Sequence, residues 1–179
     1  MTRNCISLLF LLLVGLTARA QTTWTGTTSA DWNTASNWSG NAVPSATDNV
    51  VILDVAGNDP VINAGTAALA NWVLVERDGV LTIGSSGSLT INGSTPSNYY
   101  FTTTAFFNLG TVNNSGQLVI GNLAPVGENG LSNFGSFNNN PGGQIGIDRS
   151  TTAGLFNRGS FTNGGVITIG GTAAVGSKG

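Results

Sequence analysis

The chain contains no histidine, and only one of its 179 residues is a cysteine. Without histidine, the chain cannot form catalytic triads, metal sites or acid–base steps that depend on an imidazole. The cysteine, Cys5, lies within the first twenty residues, so the remainder of the chain has neither a thiol nor a disulfide. These absences narrow the available chemistry before any motif is considered.

Charged side chains are also scarce, at 8% of the residues, whereas about a quarter is usual. The sequence has no basic run, so nucleic acid, which is bound through clustered Lys and Arg, is not an expected partner. The hydrophobic content is 40%, so the low charge does not indicate disorder. The 26 glycines, together with many Asn, Ser and Thr residues, are typical of turns and strand surfaces.

Residues 1–20 have the three parts of a secretory signal peptide: the basic Arg3, an apolar run over 6–16, and a small-x-small cleavage site at 18–20. The apolar run is shorter than the roughly 20 residues that cross a bilayer. We therefore expect cleavage before Gln21 and no membrane span in the mature chain. The expected location is secreted, extracellular or on the outer cell surface.

One phrase, Asn-x-Gly-[Thr/Ser]-apolar, occurs three times, in segments 108–120, 133–147 and 157–169. Each copy offers only two or three short strands and cannot bury its apolar side chains alone, whereas stacked copies can. The repeat therefore predicts an all-β chain with a right-handed parallel β-helix, or β-solenoid. The alternative is a β-sandwich, but its strands need not resemble one another.

The repeat also predicts which side chains stack on one another. Val112, Phe137 and Phe161 occupy equivalent positions and should form one interior column. A second interior column is expected from three isoleucines at equivalent positions: Ile120, Ile147 and Ile169.

A third set of equivalent residues, Asn113, Asn138 and Asn163, is expected at one corner, where stacked amides can form a ladder. We further expect Asn and Gly at these corners because both tolerate left-handed backbone.

Short β-branched segments precede the repeat and read as strands separated by turns. They are 49–53, 60–62, 72–75, 80–83 and 89–91. The intervening segment 64–70 is rich in small residues and weakly patterned, and is predicted to be a loop.

Three of the four tryptophans, Trp24, Trp32 and Trp38, fall within segment 21–48. Because the end of a solenoid exposes core and strand edges, we interpret this segment as an aromatic N-terminal cap. The alternative is that the three rings stack on sugars, with surface glycans as ligands. The expected organisation is therefore a signal peptide (1–20), a cap segment (21–48) and solenoid rungs (49–179).

The opening segment and the rungs after it resemble those of bacterial secreted β-solenoid proteins, which are adhesin-like surface proteins exported by autotransporter or type IX routes. The resemblance rests on these residues and on the Leu-Thr-Ile and Asn-x-Gly rungs: Trp24, Asp31, Trp32, Asn37, Trp38, Pro44, Asp48, Val50 and Ile52. It implies further rungs and a sorting or anchoring domain. Because this sequence stops just after a rung, we expect either a fragment or an end capped in another way.

No phosphate-binding glycine loop is present, and the acidic pairs Asp54 with Asp59 and Glu76 with Asp78 lie at expected turns. Asp148 beside Arg149 does not amount to the site of a polysaccharide lyase, and a shared fold is weak evidence for activity.

We expect no catalysis, cofactor or metal, and a structural or adhesive module that displays loops such as 121–131 and 148–155. The expected partners are surface glycans or other cell-surface molecules. A carbohydrate-binding protein and a polysaccharide-degrading enzyme, either lyase or glycosidase, are the alternatives.

Overall fold

A computed structural model describes residues 21–95 and 103–171. The predicted signal peptide and the last residues of the sequence lie outside this range. The described residues form one 3-10 helix (Ala35–Asn37) and sixteen strands. The strands are β1 (Gln21–Thr23), β2 (Asn49–Ile52), β3 (Val61–Ile62), β4 (Ala67–Ala70), β5 (Trp72–Val75), β6 (Val80–Ile83), β7 (Ser88–Ile91), β8 (Thr104–Asn108), β9 (Thr111–Asn114), β10 (Gln117–Ile120), β11 (Asn129–Asn133), β12 (Ser136–Asn139), β13 (Gln144–Ile147), β14 (Ala153–Asn157), β15 (Ser160–Asn163) and β16 (Val166–Ile169).

The strands lie in three sheets, and every pairing between named strands is parallel. Sheet 1 has the order β1-β2-β5-β8-β11-β14, sheet 2 the order β3-β6-β9-β12-β15, and sheet 3 the order β4-β7-β10-β13-β16. Three consecutive strands make one coil, so β2 to β16 form five coils. The parallel β-helix is thereby confirmed, because a β-sandwich would pair its strands antiparallel.

Both predicted apolar columns are confirmed by the strand register. Val112, Phe137 and Phe161 are partners in sheet 2, and the last two rings stack with their centroids 5.1 Å apart. In sheet 3 the partners are Ile120, Ile147 and Ile169. Alternate residues of each strand point inward, so the columns run along the axis as a continuous core.

The predicted loop at 64–70 is partly wrong, because Ala67–Ala70 forms strand β4. Its alternate residues Ala68 and Ala70 are buried, opposite Leu89 and Ile91 of β7. Alanine has a low intrinsic preference for strands, and here pairing with β7 overrides that preference.

The predicted amide column was wrong by one position in its third member. Asn113 and Asn138 are partners, but the next residue in that row is Thr162. Asn163 instead continues the row of Asn114 and Asn139. Successive residues of a strand face opposite sides of the sheet, so this shift of one residue separates an outer row from a buried one.

Two amide ladders run along the axis through the last three coils, one at each tight corner, and their first two members are buried. In the first, Asn108 Nδ2 donates to Asn133 Oδ1, and Asn133 Nδ2 donates to Asn157 Oδ1, both over 2.7 Å. In the second, Asn114 donates to Asn139, and Asn139 donates to Asn163, again over 2.7 Å.

The ladder amides also bind backbone groups. Asn108 Oδ1 accepts from Gly110 N at 3.1 Å in its own corner, while Asn108 Nδ2 donates to Ser136 O at 3.0 Å in the next coil. Asn133 Nδ2 likewise donates to Ser160 O at 2.9 Å. A buried primary amide needs partners for both its oxygen and its nitrogen, and these contacts supply them.

The glycine of the Asn-x-Gly phrase is required by close packing, which corrects the expectation of left-handed backbone. Gly135 does not have a positive φ. A Cβ atom there would lie against the carbonyl oxygen of Gly110 and 2.7 Å from that of Leu109 in the preceding coil. The coils can therefore approach each other at this corner only if no side chain stands between them.

Replacing Gly135 with alanine should destabilise the fold by about 1–3 kcal/mol, since the added methyl group must push two coils apart. The measurement is thermal or urea unfolding followed by circular dichroism. Gly146 provides the control, because a Cβ there would meet nothing within 4 Å. Gly146→Ala should be neutral or stabilise by up to about 1 kcal/mol, and equal losses in both variants would contradict the packing explanation.

Candidate functional site

The three clustered tryptophans form the core of the N-terminal cap. Trp38 packs edge-on against both others, with ring centroids 4.9 Å from Trp24 and 4.6 Å from Trp32. The exposed fractions of Trp24, Trp32 and Trp38 are 1%, 0% and 2%. Sugar stacking needs an open ring face, so these residues do not form the sugar-stacking platform of the alternative hypothesis.

The cap is held together by the buried amide of Asn37. Its Oδ1 accepts from the backbone N–H groups of Thr28 and Ser29 at 2.9 and 3.0 Å, and its Nδ2 donates to Asp31 O at 2.9 Å. The segment then closes the first coil: Trp32 N donates to Val61 O over 3.1 Å, and β1 pairs with β2. These contacts explain why the aromatic segment is structural.

In the later coils, the connections that lead from a strand of sheet 3 to the next strand of sheet 1 are longer than the other connections. In the last three coils, the connections from sheet 1 to sheet 2 and from sheet 2 to sheet 3 have only two to four residues. By contrast, residues 121–128 join β10 to β11, and residues 148–152 join β13 to β14. We call these two segments, together with residues 92–95 and Thr103, the loop corner. The two loops that the sequence pointed to therefore lie at the same corner of the solenoid.

The segments of the loop corner are bonded to each other. Glu128 N donates to Thr103 O over 3.1 Å, and Thr151 N donates to Gly127 O over 2.9 Å. Val126 is fully buried in the main core, while Leu123 is 75% exposed. The corner thus has an anchored base and an exposed tip.

A pocket of about 620 Å³ lies where the loop corner meets the first two coils. The described residues that line it carry amide, hydroxyl, backbone and apolar groups, and none of them has a charged side chain: Asn49, Asn71, Trp72, Asn92, Gly93, Ser94, Ala124 and Pro125. Two of the amides are bonded to each other, with Asn71 Nδ2 donating to Asn49 Oδ1 over 2.7 Å. This chemistry suits a neutral, hydroxyl-rich ligand better than a charged one.

Sequence reasoning did not single out Trp72, which lines this pocket. The signal that could have identified it is the run Trp72–Val75, in which every residue is buried. A strand that is buried on both faces must have its outer face covered by protein. Trp72 itself is 3% exposed, so its ring is a packed wall of the pocket.

The acidic pair Asp54 and Asp59 lies in the connection between β2 and β3. Burial first, and the Asp54 carboxylate second, raise the pKa of Asp59 above its ordinary value. Among the residues that the structure describes, no three Asp or Glu side chains cluster so that they could hold a metal ion.

The raised pKa of Asp59 predicts a pH-dependent stability. The folded state favours the protonated carboxyl, so this contribution is fully present below the ordinary pKa near 4 and is lost as the pH rises through the higher folded value. Asp59→Asn should therefore raise the melting temperature at about pH 7 and have little effect at about pH 3. Because the group is partly solvated, the gain should stay below about 1 kcal/mol.

The control for this prediction is Glu128→Gln, which removes a charge from an exposed side chain. The melting temperature of that variant at about pH 7 should stay close to that of the wild type, because substitutions of exposed side chains change stability little. A gain in Asp59→Asn that persists at about pH 3 would contradict the role given to the carboxylate.

Within residues 21–95 and 103–171, no helix has the length and apolar character needed to cross a membrane. No curated protein and no solved structure matches the chain. The family described as a domain of unknown function (DUF8693) matches residues 23–138, which run from β1 into β12. This match covers the cap and most of the coils, and the chain belongs to that family.

Proposed function

We propose that the protein is a secreted, non-catalytic β-solenoid module of a cell surface or the extracellular space. It acts by holding a binding edge, the loop corner, at a fixed position. The observation that carries this proposal is that the long connections of the later coils leave the solenoid at one corner and are bonded there to each other. Loops on a rigid scaffold are the usual place for binding residues.

The stacked coils of the solenoid suit the display of binding loops because they restrict the motion of those loops. Parallel strand pairing in three sheets joins each coil to the next, and two amide ladders add further bonds between the last three coils. A loop that is already ordered loses less conformational entropy on binding. The exposed Leu123 is held in this way, because its backbone N–H donates to Asn92 Oδ1 over 3.0 Å.

The ligand class that we propose is a neutral surface glycan. The pocket beside the loop corner presents amide and hydroxyl groups without charge, which matches the donors and acceptors of sugar hydroxyl groups. Carbohydrate binding is thus retained as part of the proposal, and its location moves from the buried cap tryptophans to the loop corner.

The test is binding of the purified protein to a glycan array, followed by titration of the strongest glycan. Leu123→Asp and Asn92→Ala should each weaken binding by about tenfold or more. The first changes the exposed tip of the loop corner, and the second removes the amide that holds the backbone of Leu123. Leu69→Asp serves as the matched control, because Leu69 is an exposed leucine on the outer face of β4.

Three outcomes are informative. Loss of binding in the loop-corner variants, with the control unchanged and all melting temperatures close to wild type, supports the proposal. Equal binding by all variants would show that the glycan is held elsewhere. No binding by the wild-type protein to any glycan would overturn the proposed ligand class.

A further inference from the structure

The middle position of the Asn-x-Gly phrase forms a row on the outside of the solenoid. It holds Leu109, Phe134 and Arg158, at the tight corner between sheets 1 and 2. The register of sheet 1 continues through this corner, so the three residues lie side by side in successive coils. Glu76 precedes Leu109 in the same row, because Leu109 N donates to Val75 O over 2.8 Å. We call these four residues, from Glu76 to Arg158, the corner row.

The centre of the corner row is apolar and faces the side of the solenoid. Leu109 packs against the buried cluster that contains Phe107, and the ring of Phe107 stacks on that of Phe134 with the centroids 5.2 Å apart. Phe134 is 41% exposed although its strand has a neighbouring strand on each side. An exposed aromatic ring with packed side chains behind it is well suited to anchor a protein contact.

The two ends of the corner row carry opposite charges. The turn between β5 and β6 has two acids against one base, because Glu76 and Asp78 flank Arg77. At the other end of the row, Arg158 is exposed. The apolar centre therefore lies between an acidic end and a basic end.

This order of charges makes the corner row complementary to itself. Glu76 lies one coil before Leu109, and Arg158 lies one coil after Phe134, so the row is symmetric about the midpoint between Leu109 and Phe134. A two-fold axis through that midpoint sets Leu109 of one copy against Phe134 of the other, and Arg158 against the acidic end. In that arrangement the solenoid axes are antiparallel. Parallel axes would instead bring like charges together at both ends, which is unfavourable.

We propose that the corner row is the contact surface of a homodimer, in which a second copy of this chain packs with its solenoid axis antiparallel. At a spacing of about 4.8 Å between coils, the row spans about 14 Å. The interface therefore belongs to the small class that forms reversibly.

The dimer leaves the loop corner accessible, because the loop corner lies between sheets 3 and 1 and the corner row lies between sheets 1 and 2. Two binding edges in one particle strengthen attachment to a surface that carries many ligands. This consequence rests on the proposed function, whereas the contact between the two copies does not.

Sedimentation of the purified protein tests the contact over about 1 to 300 µM, a range that includes the Kd values of small interfaces. The protein should be monomeric at the low end and dimeric at the high end. Phe134→Asp should weaken the dimer by about tenfold or more, since it places a charge at the apolar centre. The matched control is Leu69→Asp, on the outer face of sheet 3, which should leave the Kd unchanged. A wild-type protein that stays monomeric throughout, or a dimer equally strong in Phe134→Asp, would overturn the proposal.

Two charge reversals test the antiparallel arrangement. Arg158→Glu makes both ends of the row acidic, and Glu76→Arg makes both ends basic. Each variant alone should dimerise about tenfold or more weakly than the wild type, because like charges meet at both ends. An equimolar mixture of the two should recover the wild-type Kd, since every end then meets the opposite charge. Recovery would also show that both variants are folded, and a mixture that stays monomeric would contradict the antiparallel contact.

Glycan binding separates this contact from the loop corner. At protein concentrations below the Kd of the dimer, Phe134→Asp should bind the same glycans as the wild type. Loss of that binding would show that the corner row holds the glycan, against the proposal. If the wild-type protein binds no glycan, the proposed ligand class fails, while sedimentation still decides whether the dimer forms.

Discussion

Replacing Ile147 with aspartate should destabilise the fold by at least about 4 kcal/mol, which is a large part of the stability of a typical domain. Ile147 is fully buried between Ile120 and Ile169 in the interior column of sheet 3. The substitution removes the packed side chain and places a carboxylate among the buried apolar side chains of the core. Urea unfolding followed by circular dichroism measures the loss.

The same column supplies the control. Ile169 pairs with Ile147 in the same column but is 39% exposed, so a carboxylate there keeps contact with water. Ile169→Asp should cost less than about 1 kcal/mol. If Ile147→Asp left the melting temperature unchanged, or if both substitutions cost the same, the interior column would not be the source of stability.

The second large effect is expected from Asn133, at the centre of the first amide ladder. Asn133→Ala removes four hydrogen bonds, to Asn108, Asn157 and the backbone oxygens of Gly135 and Ser160. Asn108 is fully buried and loses its bond without gaining water, whereas Asn157 and Ser160 are exposed. At about 1–3 kcal/mol for the buried bond and about 0.5–1 kcal/mol for each of the others, the loss should total about 3 kcal/mol.

Asn138 is the matched control for Asn133. It lies in the outer row of sheet 2 and makes a single amide bond, from its Nδ2 to Asn113 Oδ1 over 3.0 Å. Asn138→Ala should cost less than about 1 kcal/mol, because water can replace the lost partner. Comparable losses at the two positions in denaturant unfolding would contradict the assignment of the buried row as the stabilising one.

The repeat was sufficient to predict the parallel β-helix and both apolar columns, because stacking follows from equivalent positions in successive copies. The buried asparagines were harder to place. Asn113 and Asn114 are adjacent and identical in type, and only the pairing in the third copy, where Thr162 precedes Asn163, separates the outer row from the buried one. A pattern of residue types does not state which face of a strand is buried when both faces carry Asn.

The candidate site depends on contacts that no local pattern contains. The pocket joins Asn49 of the first coil to Pro125 in a later loop, and their proximity follows from the stacking of whole coils. Likewise, clustered tryptophans are compatible with an open platform or with a packed cap. The edge-to-face contacts around Trp38 decide between them, and such contacts require the folded cap.

The tryptophan cap has a consequence for the order of folding. In a stack where each coil contacts only its neighbours, structure spreads from the segment that is stable first. The cap tryptophans pack in one core cluster with the buried residues of the first coil and stabilise that coil from outside. We therefore expect folding to begin at the cap and to advance coil by coil. In this protein the aromatic segment acts as a starting template for the whole solenoid.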